Sequence, residues 1–110
     1  MLTIDEIKAR INPIARQYRL NAVYLFGSYA RNEATEESDI DLLIDREDSS
    51  VHSLFDMGDL YTALQEALGV EIDIVTTQTL EQESTKQRTP MLIENIYSER
   101  IQIFTRSDNN

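Results

Sequence analysis

The sequence predicts an α/β (α+β) protein in which a small mixed β-sheet is flanked by helices. Short apolar runs typical of buried strands alternate with segments of helical periodicity. One predicted helix of about 15 residues joins the second strand to the third, which is the βαβ pattern of adjacent or near-adjacent strands. At 110 residues the chain has the size of one small domain. We expect residues 1–106 to form this domain and residues 107–110 to be a frayed tail.

The predicted elements follow from capping signals, apolar spacing and strict alternation. Thr3 and Glu6 have the spacing of a capping box at the start of the first helix. Pro13 falls inside that helix and is expected to kink it or to split it near Asn12. The predicted helices span residues 3–19, 27–32, 54–68 and 90–98, with a further one starting at Leu80 behind a Thr79 cap, and the predicted strands span residues 22–26, 38–44, 70–75 and 101–104.

The helix over residues 54–68 and the strand after it are the clearest elements. Leu54 opens an apolar face that repeats at helical spacing, and Gly69 is a natural C-cap. Residues 70–75, VEIDIV, alternate strictly, so Asp73 falls on the face opposite to the two isoleucines. The βαβ connection would bring Asp73 within reach of Asp39 and Asp41 on the preceding strand.

Composition excludes several classes of protein. The chain has 20 acidic and 10 basic residues, a net charge of −10, and no cysteine. The acidic balance disfavours a polynucleotide substrate and favours a basic partner, although it would also serve solubility alone. The single histidine, His52, has no partners for a zinc set or a nucleophile triad. With no apolar run of membrane-spanning length and no signal-peptide pattern, we expect a cytoplasmic protein.

The stretch from residue 25 to residue 45 contains most of the candidate site residues. Asp39 and Asp41 are two apart on a predicted strand, so both carboxylates point to the same side, a costly arrangement unless a cation lies between them. Gly27-Ser28 follows the preceding strand and opens a helix, which is a favourable place for a phosphate. A phosphate site beside a divalent-cation site suggests phosphoryl or nucleotidyl transfer.

These residues resemble a known signature. Gly27-Ser28, Arg31 and the Ser38-Asp39-x-Asp41 group are similar to the motif of the nucleotidyltransferase superfamily that has the DNA-polymerase-beta palm fold. Size and layout resemble its minimal nucleotidyltransferase branch, which includes the antitoxins of HEPN/minimal-nucleotidyltransferase pairs. The family usually has glycine after the motif arginine. Here it is Asn32, which tolerates a left-handed backbone better than most residues.

The resemblance implies a role for each acidic residue of the motif. Asp39, Asp41 and Asp73 would hold two Mg²⁺ ions, with Asp73 as the third ligand and as general base for the attacking hydroxyl. Taken alone, Asp39 and Asp41 are better explained as two surface aspartates on an edge strand, and it is the Gly27-Ser28 element before them that favours function. Without the motif, Asp73 is better explained as an exposed strand carboxylate.

The remaining motif residues would contact the nucleotide. Gly27 lets the backbone approach a phosphate, and Ser28 offers its N–H and hydroxyl, although an ordinary Ser-capped turn would look the same. Arg31 would contact the triphosphate or pair with an acidic neighbour. Ser38 belongs to the predicted nucleotide-binding set. Its favoured role, however, is a structural hydrogen bond that positions the aspartates.

The function that the resemblance implies is transfer of AMP from ATP to a hydroxyl, expected to be a tyrosine, of a cognate HEPN ribonuclease toxin. The chain would then be an antitoxin that forms a hetero-oligomer with this partner. Two other functions stay open: a non-catalytic acidic module that masks a basic partner, and a nucleotidyltransferase that acts on a small molecule such as an aminoglycoside.

Overall fold

The computed structural model describes residues 1–88 and 90–106, so the predicted tail at residues 107–110 lies outside the described residues. Helices and strands alternate along the chain as the sequence predicts. The elements are α1 (Ile4–Gln17), β1 (Ala22–Phe26), α2 (Gly27–Ala30), β2 (Ile40–Asp45), α3 (Leu54–Leu68), β3 (Ile72–Thr76), α4 (Thr77–Leu80), α5 (Glu83–Arg88), α6 (Pro90–Glu99) and β4 (Ile101–Thr105). None of the helices in these ranges is long and apolar enough to cross a bilayer.

The four strands form one mixed sheet in the order β3-β2-β1-β4. β1 pairs antiparallel with both β2 and β4, whereas β2 and β3 are parallel and are joined by α3. This confirms the predicted fold class and the βαβ unit. Because β2 and β3 run in the same direction, residues at their amino ends lie at one edge of the sheet.

Alternating side chains divide the sheet into two faces. The first face carries the larger core, in which Ile7 and Ile11 of α1 and Leu60 and Leu64 of α3 pack on the even-numbered residues of β2. The second face carries a smaller cluster in which Leu43 of β2 contacts Leu80 and Ile96, from α4 and α6. The odd-numbered residues of β2 and β3 share the second face because side chains alternate with a period of two.

Local capping chemistry sets the ends of the two long helices. The predicted box is present in α1: the Glu6 N–H donates to Thr3 Oγ1 at 3.1 Å and the Thr3 N–H donates to Glu6 Oε1 at 3.0 Å. Gly69 ends α3 in a left-handed conformation with φ of 73°. Pro13, however, does not split α1, which is one helix from Ile4 to Gln17. Its missing N–H removes one internal hydrogen bond, and burial of Ile7, Ile11 and Ala15 in the core offsets that loss.

Two sequence predictions about side chains are wrong. Leu54 does not belong to the buried face of α3: it is 90% exposed in the first turn, and the buried residues of the helix are Leu60, Leu64 and Leu68. Thr79 is not an N-cap either. Thr76 caps α4 instead, its Oγ1 accepting a hydrogen bond from the Thr79 N–H at 3.1 Å.

The strand boundaries also shift. β2 begins at Ile40, two residues later than predicted, and β3 spans Ile72–Thr76 where residues 70–75 were predicted. Both strands begin where their pairing begins, since Ile40 and Ile72 are register partners.

Arg106 links the end of the sheet to two left-handed turns. Its Nη1 donates to the carbonyl oxygens of Arg19 at 2.9 Å and of Asp48 at 3.1 Å. Arg19 and Asp48 have φ of 56° and 57°, so both turns are conformations that most residues adopt at a cost. One cation therefore holds the α1–β1 and β2–α3 connections together.

We predict that Arg106→Ala lowers the free energy of unfolding by about 1 to 2 kcal/mol, because the hydrogen bonds of a charged donor to two turns are lost. Thermal denaturation followed by circular dichroism measures the effect. Lys8→Ala, at an exposed position of α1, is the control that also removes one positive charge. Its melting temperature should stay within about 1 °C of the wild-type value. Equal melting temperatures for the wild type and Arg106→Ala would show that the hydrogen bonds of Arg106 do not stabilise the two turns.

Candidate active site

The parallel register of β2 and β3 brings two predicted site residues together. Asp41 is the register partner of Asp73, and both project from the second face of the sheet. Neighbouring strands lie about 4.8 Å apart, so the two carboxylates meet across the strand pair. The Asp73 side chain is exposed and Asp41 is partly buried.

The environment of Asp41 disfavours its charge. Burial, followed by the charges of Asp73 and Asp39, raises the pKa of the Asp41 carboxyl from its usual 3.8 to about 6. Arg31 acts in the opposite direction, but its effect is smaller. Among the side chains that the structure describes, the ion pairs of Arg31 are with Glu33 and Glu99, and neither Asp41 nor Asp73 forms one. The two carboxylates therefore face one another without an ion-pair partner among these side chains.

Asp39 lies close to this pair but outside the strand. It precedes β2 and is exposed, so the prediction that Asp39 lies on the strand with Asp41 is wrong in that detail. Within the described ranges, no three acidic, histidine or cysteine side chains are grouped as ready metal ligands. Asp41 and Asp73 thus form the tight pair, and Asp39 adds its charge from the loop.

Gly27 makes room for the Asp41 carboxylate. Gly27 has φ of 74°, a conformation that side-chain-bearing residues rarely adopt. A Cβ built on Gly27 would overlap Asp41 Oδ2, so the carboxylate occupies the space that a side chain would fill. The junction of β1 and α2 is thereby pressed against the acidic pair, with Ser28 next in the chain.

Ser28 offers free donors at this junction. Its hydroxyl makes no hydrogen bond with any residue that the structure describes, while its carbonyl accepts from the Glu33 N–H at 2.8 Å. α2 is only one turn long, so the dipole of the helix contributes little and individual N–H groups would have to bind an anion. Asn32 closes the turn with φ of 60°, the left-handed conformation expected for the residue in place of glycine.

Arg31 is held by acidic neighbours. Its Nε donates to Glu33 Oε1 at 2.8 Å and its Nη1 to Glu99 Oε2 at 2.7 Å. Of the two roles that the sequence left open, the structure shows this pairing, and the predicted triphosphate contact stays a prediction. Sequence reasoning missed Glu99, because it is 68 positions away in the chain and no local pattern marks it.

Ser38 closes the turn that leads into the acidic segment. Its Oγ accepts a hydrogen bond from the Thr35 N–H at 2.9 Å, and its own N–H donates to the Thr35 carbonyl at 3.0 Å. These hydrogen bonds shape the turn, and the role of Ser38 in positioning the aspartates stays a prediction. A direct contact between Ser38 and a nucleotide stays a prediction.

A comparison with protein-family models matches residues 9–109 to the family "Polymerase beta, Nucleotidyltransferase". The chain belongs to this nucleotidyltransferase family. The match extends from α1 through β4 and includes every residue of the site described above. The predicted family and enzyme class are therefore confirmed.

Two related nucleotidyltransferases have names that refer to a specific reaction. A protein of Methanocaldococcus jannaschii, provisionally named a protein adenylyltransferase, is 35% identical over 102 residues, which is 93% of this chain and 99% of the relative. The protein adenylyltransferase MntA of Thermococcus cleftensis is 34% identical over 84 residues, 73% of this chain and 83% of that protein.

Two solved structures are similar to this chain. One, provisionally described as a minimal nucleotidyltransferase, has a TM-score of 0.68 and 33% identity, covering 92% of this chain and 96% of that chain. The other is a tri-AMPylated Shewanella oneidensis HEPN toxin in complex with its MNT antitoxin, with a TM-score of 0.63 and 19% identity over 97% of this chain and 76% of that chain. At that identity the second likeness shows the fold alone.

We predict that Gly27→Ala lowers nucleotidyl transfer by at least about 100-fold and destabilises the fold by about 1 to 3 kcal/mol, because the new methyl group displaces the Asp41 carboxylate and strains the backbone. Gly58→Ala is the matched control. A Cβ on Gly58 meets nothing within 4 Å in the interior of α3, so this change should raise stability by about 0.5 to 1 kcal/mol and leave transfer unchanged. Normal transfer by Gly27→Ala would refute the packing described here.

We also predict that Asp41→Asn removes transfer and stabilises the metal-free fold. Loss of the repulsion from Asp73 and Asp39 should contribute about 1 kcal/mol, after allowance for solvent screening. Thermal melts in EDTA measure this gain, with the exposed Asp59→Asn as the control of equal charge. A melt in which Asp41→Asn is less stable than Asp59→Asn would contradict the electrostatic description.

Proposed function

We propose that this chain transfers AMP from ATP to a hydroxyl group, expected to be a tyrosine, of a HEPN ribonuclease toxin and thereby acts as its antitoxin. The names of its relatives support an adenylyl group and a protein acceptor. The structurally similar toxin–antitoxin complex, whose toxin carries AMP groups, supports the class of partner.

The observation that carries the proposal is the contact between the acidic pair and the β1–α2 junction. Asp41 and Asp73 face each other across the parallel strands, and the Asp41 carboxylate lies against Gly27. A triphosphate bound at Gly27-Ser28 would therefore have its reacting phosphate next to the carboxylates. Nucleotidyl transfer needs this proximity of a phosphate site and a cation site.

The residues fit Mg²⁺. Asp41 and Asp73 provide only carboxylate oxygens, the ligands that Mg²⁺ prefers, and their mutual repulsion would be relieved by a divalent cation. Asp39 would complete the ligand set from the loop before β2. Bound Mg²⁺ would neutralise negative charge on the attacking oxygen of the acceptor and on the leaving oxygen of the phosphate chain.

The chain's own residues would then position the substrates and move one proton. The Ser28 hydroxyl and nearby N–H groups would hold the leaving phosphates in place. The acceptor oxygen would bond to the α-phosphorus, the bond from that phosphorus to the β-phosphate bridge would break, and pyrophosphate would leave. Asp73, exposed at the amino end of β3, would accept the proton of the attacking hydroxyl.

The test is co-expression of the chain with the product of its adjacent gene, followed by intact mass spectrometry. We expect the neighbour to be heavier by one or more AMP units with the wild type and unmodified with Asp39→Asn/Asp41→Asn. Asp5→Asn/Asp59→Asn, at exposed positions of α1 and α3, is the control with the same change in charge and should behave as the wild type. Full modification by the Asp39→Asn/Asp41→Asn variant would reject the proposed site.

The same experiment separates transfer from masking. If the neighbour is unmodified and yet forms a stable complex with both the wild type and the Asp39→Asn/Asp41→Asn variant, the chain is a binding module and the proposed transfer is wrong.

A further inference from the structure

Two large apolar side chains at the start of α3 contact little of the fold. Leu54 is 90% and Phe55 is 86% exposed, although α3 buries three leucines further along. The start of the helix does not depend on them. Ser53 and Asp56 form a capping box in which the Asp56 N–H donates to Ser53 Oγ at 3.2 Å. Adjacent exposed apolar side chains of this size are typical anchors of a protein interface.

An acidic cleft of about 570 Å³ lies on the second face of the sheet, at the carboxyl end of β2. Asp45, Glu47 and Glu81 line it, together with Arg100. The Arg100 guanidinium stacks over the Tyr24 ring at 4.3 Å and makes no ion pair within the described part of the chain. Three carboxylates against one cation leave the cleft negative.

The cleft and the apolar pair lie at the same end of the sheet. A second cavity of about 310 Å³ lies beside Leu54 and is lined by Arg46, Thr76 and Thr79. The other residues of segments 45–47 and 76–79 line the acidic cleft: Asp45, Glu47, Thr77 and Gln78. Since alternate residues of a strand face opposite sides of the sheet, the two cavities lie on its two faces, and both lie at the carboxyl ends of β2 and β3.

This end of the sheet is remote from the candidate active site. Asp41 and Asp73 lie near the amino ends of β2 and β3, whereas Asp45 ends β2 and Thr76 ends β3. The four residues from Asp41 to Asp45 span about 13 Å of extended strand. A protein that covers Leu54 and Phe55 would therefore leave the acidic pair open to the nucleotide.

We propose that Leu54, Phe55 and the acidic cleft at the same end of the sheet together form the docking surface for the protein acceptor. This inference rests on the proposed function, which requires a protein acceptor. The occupant that fits is a protein with an apolar depression bordered by lysine or arginine, because the cleft is negative and the whole chain carries a net charge of −10. The apolar pair contributes affinity, and the acidic cleft contributes orientation and association rate.

The first test compares two exposed apolar pairs. Leu54→Gln/Phe55→Gln should weaken binding of the purified adjacent-gene product at least about 10-fold by calorimetry and raise KM for that acceptor similarly. Affinity for Mg·ATP should be unchanged, since the nucleotide site is remote. Met91→Gln/Leu92→Gln changes the exposed apolar pair of α6 and should bind as the wild type. Melting temperatures within about 2 °C of the wild type show that each variant is folded.

The second test addresses charge. Glu47→Lys should slow association with the same partner at least about 3-fold in 50 mM salt, and the difference should vanish in 0.5 M salt. Glu66→Lys is the control with the same change in net charge, at an exposed position of α3 near its other end, and should have a smaller effect.

Each outcome distinguishes the docking surface from the proposed function. If the wild type binds and modifies the partner and Leu54→Gln/Phe55→Gln does so equally well, the docking surface is wrong and the proposed function stands. If the wild type neither binds nor modifies the partner, both are wrong. If the apolar substitution instead converts a dimer of the chain alone to a monomer in light scattering, the surface is occupied by a second copy and the inference is overturned.

Discussion

Repulsion between two adjacent carboxylates is the constraint on which this structure depends. Asp41 and Asp73 are register partners in a parallel strand pair, and neither forms an ion pair with a side chain that the structure describes. Isolated strands would separate such a pair, so the remainder of the fold must hold the register. The buried residues of α1 and α3 do so, because they pack the even-numbered side of the same strands into the larger core. The larger apolar core lies on one face of the sheet, and the repulsion between the carboxylates acts on the other.

This division explains why so small a domain has room for a site. The second face has only a small apolar cluster, so it is not fully covered and its odd-numbered residues reach solvent at both ends of β2 and β3. At the amino ends lie the aspartates, and at the carboxyl ends lies the acidic cleft. A single βαβ unit thus presents two distinct acidic regions, separated by the cluster around Leu43.

Sequence reasoning succeeded where the determinants are local. The Thr3–Glu6 box, the Gly69 C-cap and the alternation around Asp73 are each contained within a few residues, and their structures were predicted. Reasoning failed where the determinant is distant. The partner of Arg31 is Glu99, brought close only by the folding of α6 against α2, and the exposure of Leu54 depends on how α3 packs against the rest of the fold. The site motif was recognisable because its residues lie in one stretch, whereas the docking surface joins two stretches and has no linear signal.

The contact between Gly27 and Asp41 also limits how this chain can change over time. The two positions are 14 apart in sequence and yet share one small volume, because the carboxylate fills the space where a Cβ would be. A larger side chain at position 27 would require a shorter one at position 41, which would remove the charge. Substitutions at the two positions are therefore coupled, and a lineage that keeps the carboxylate is confined to glycine at the turn.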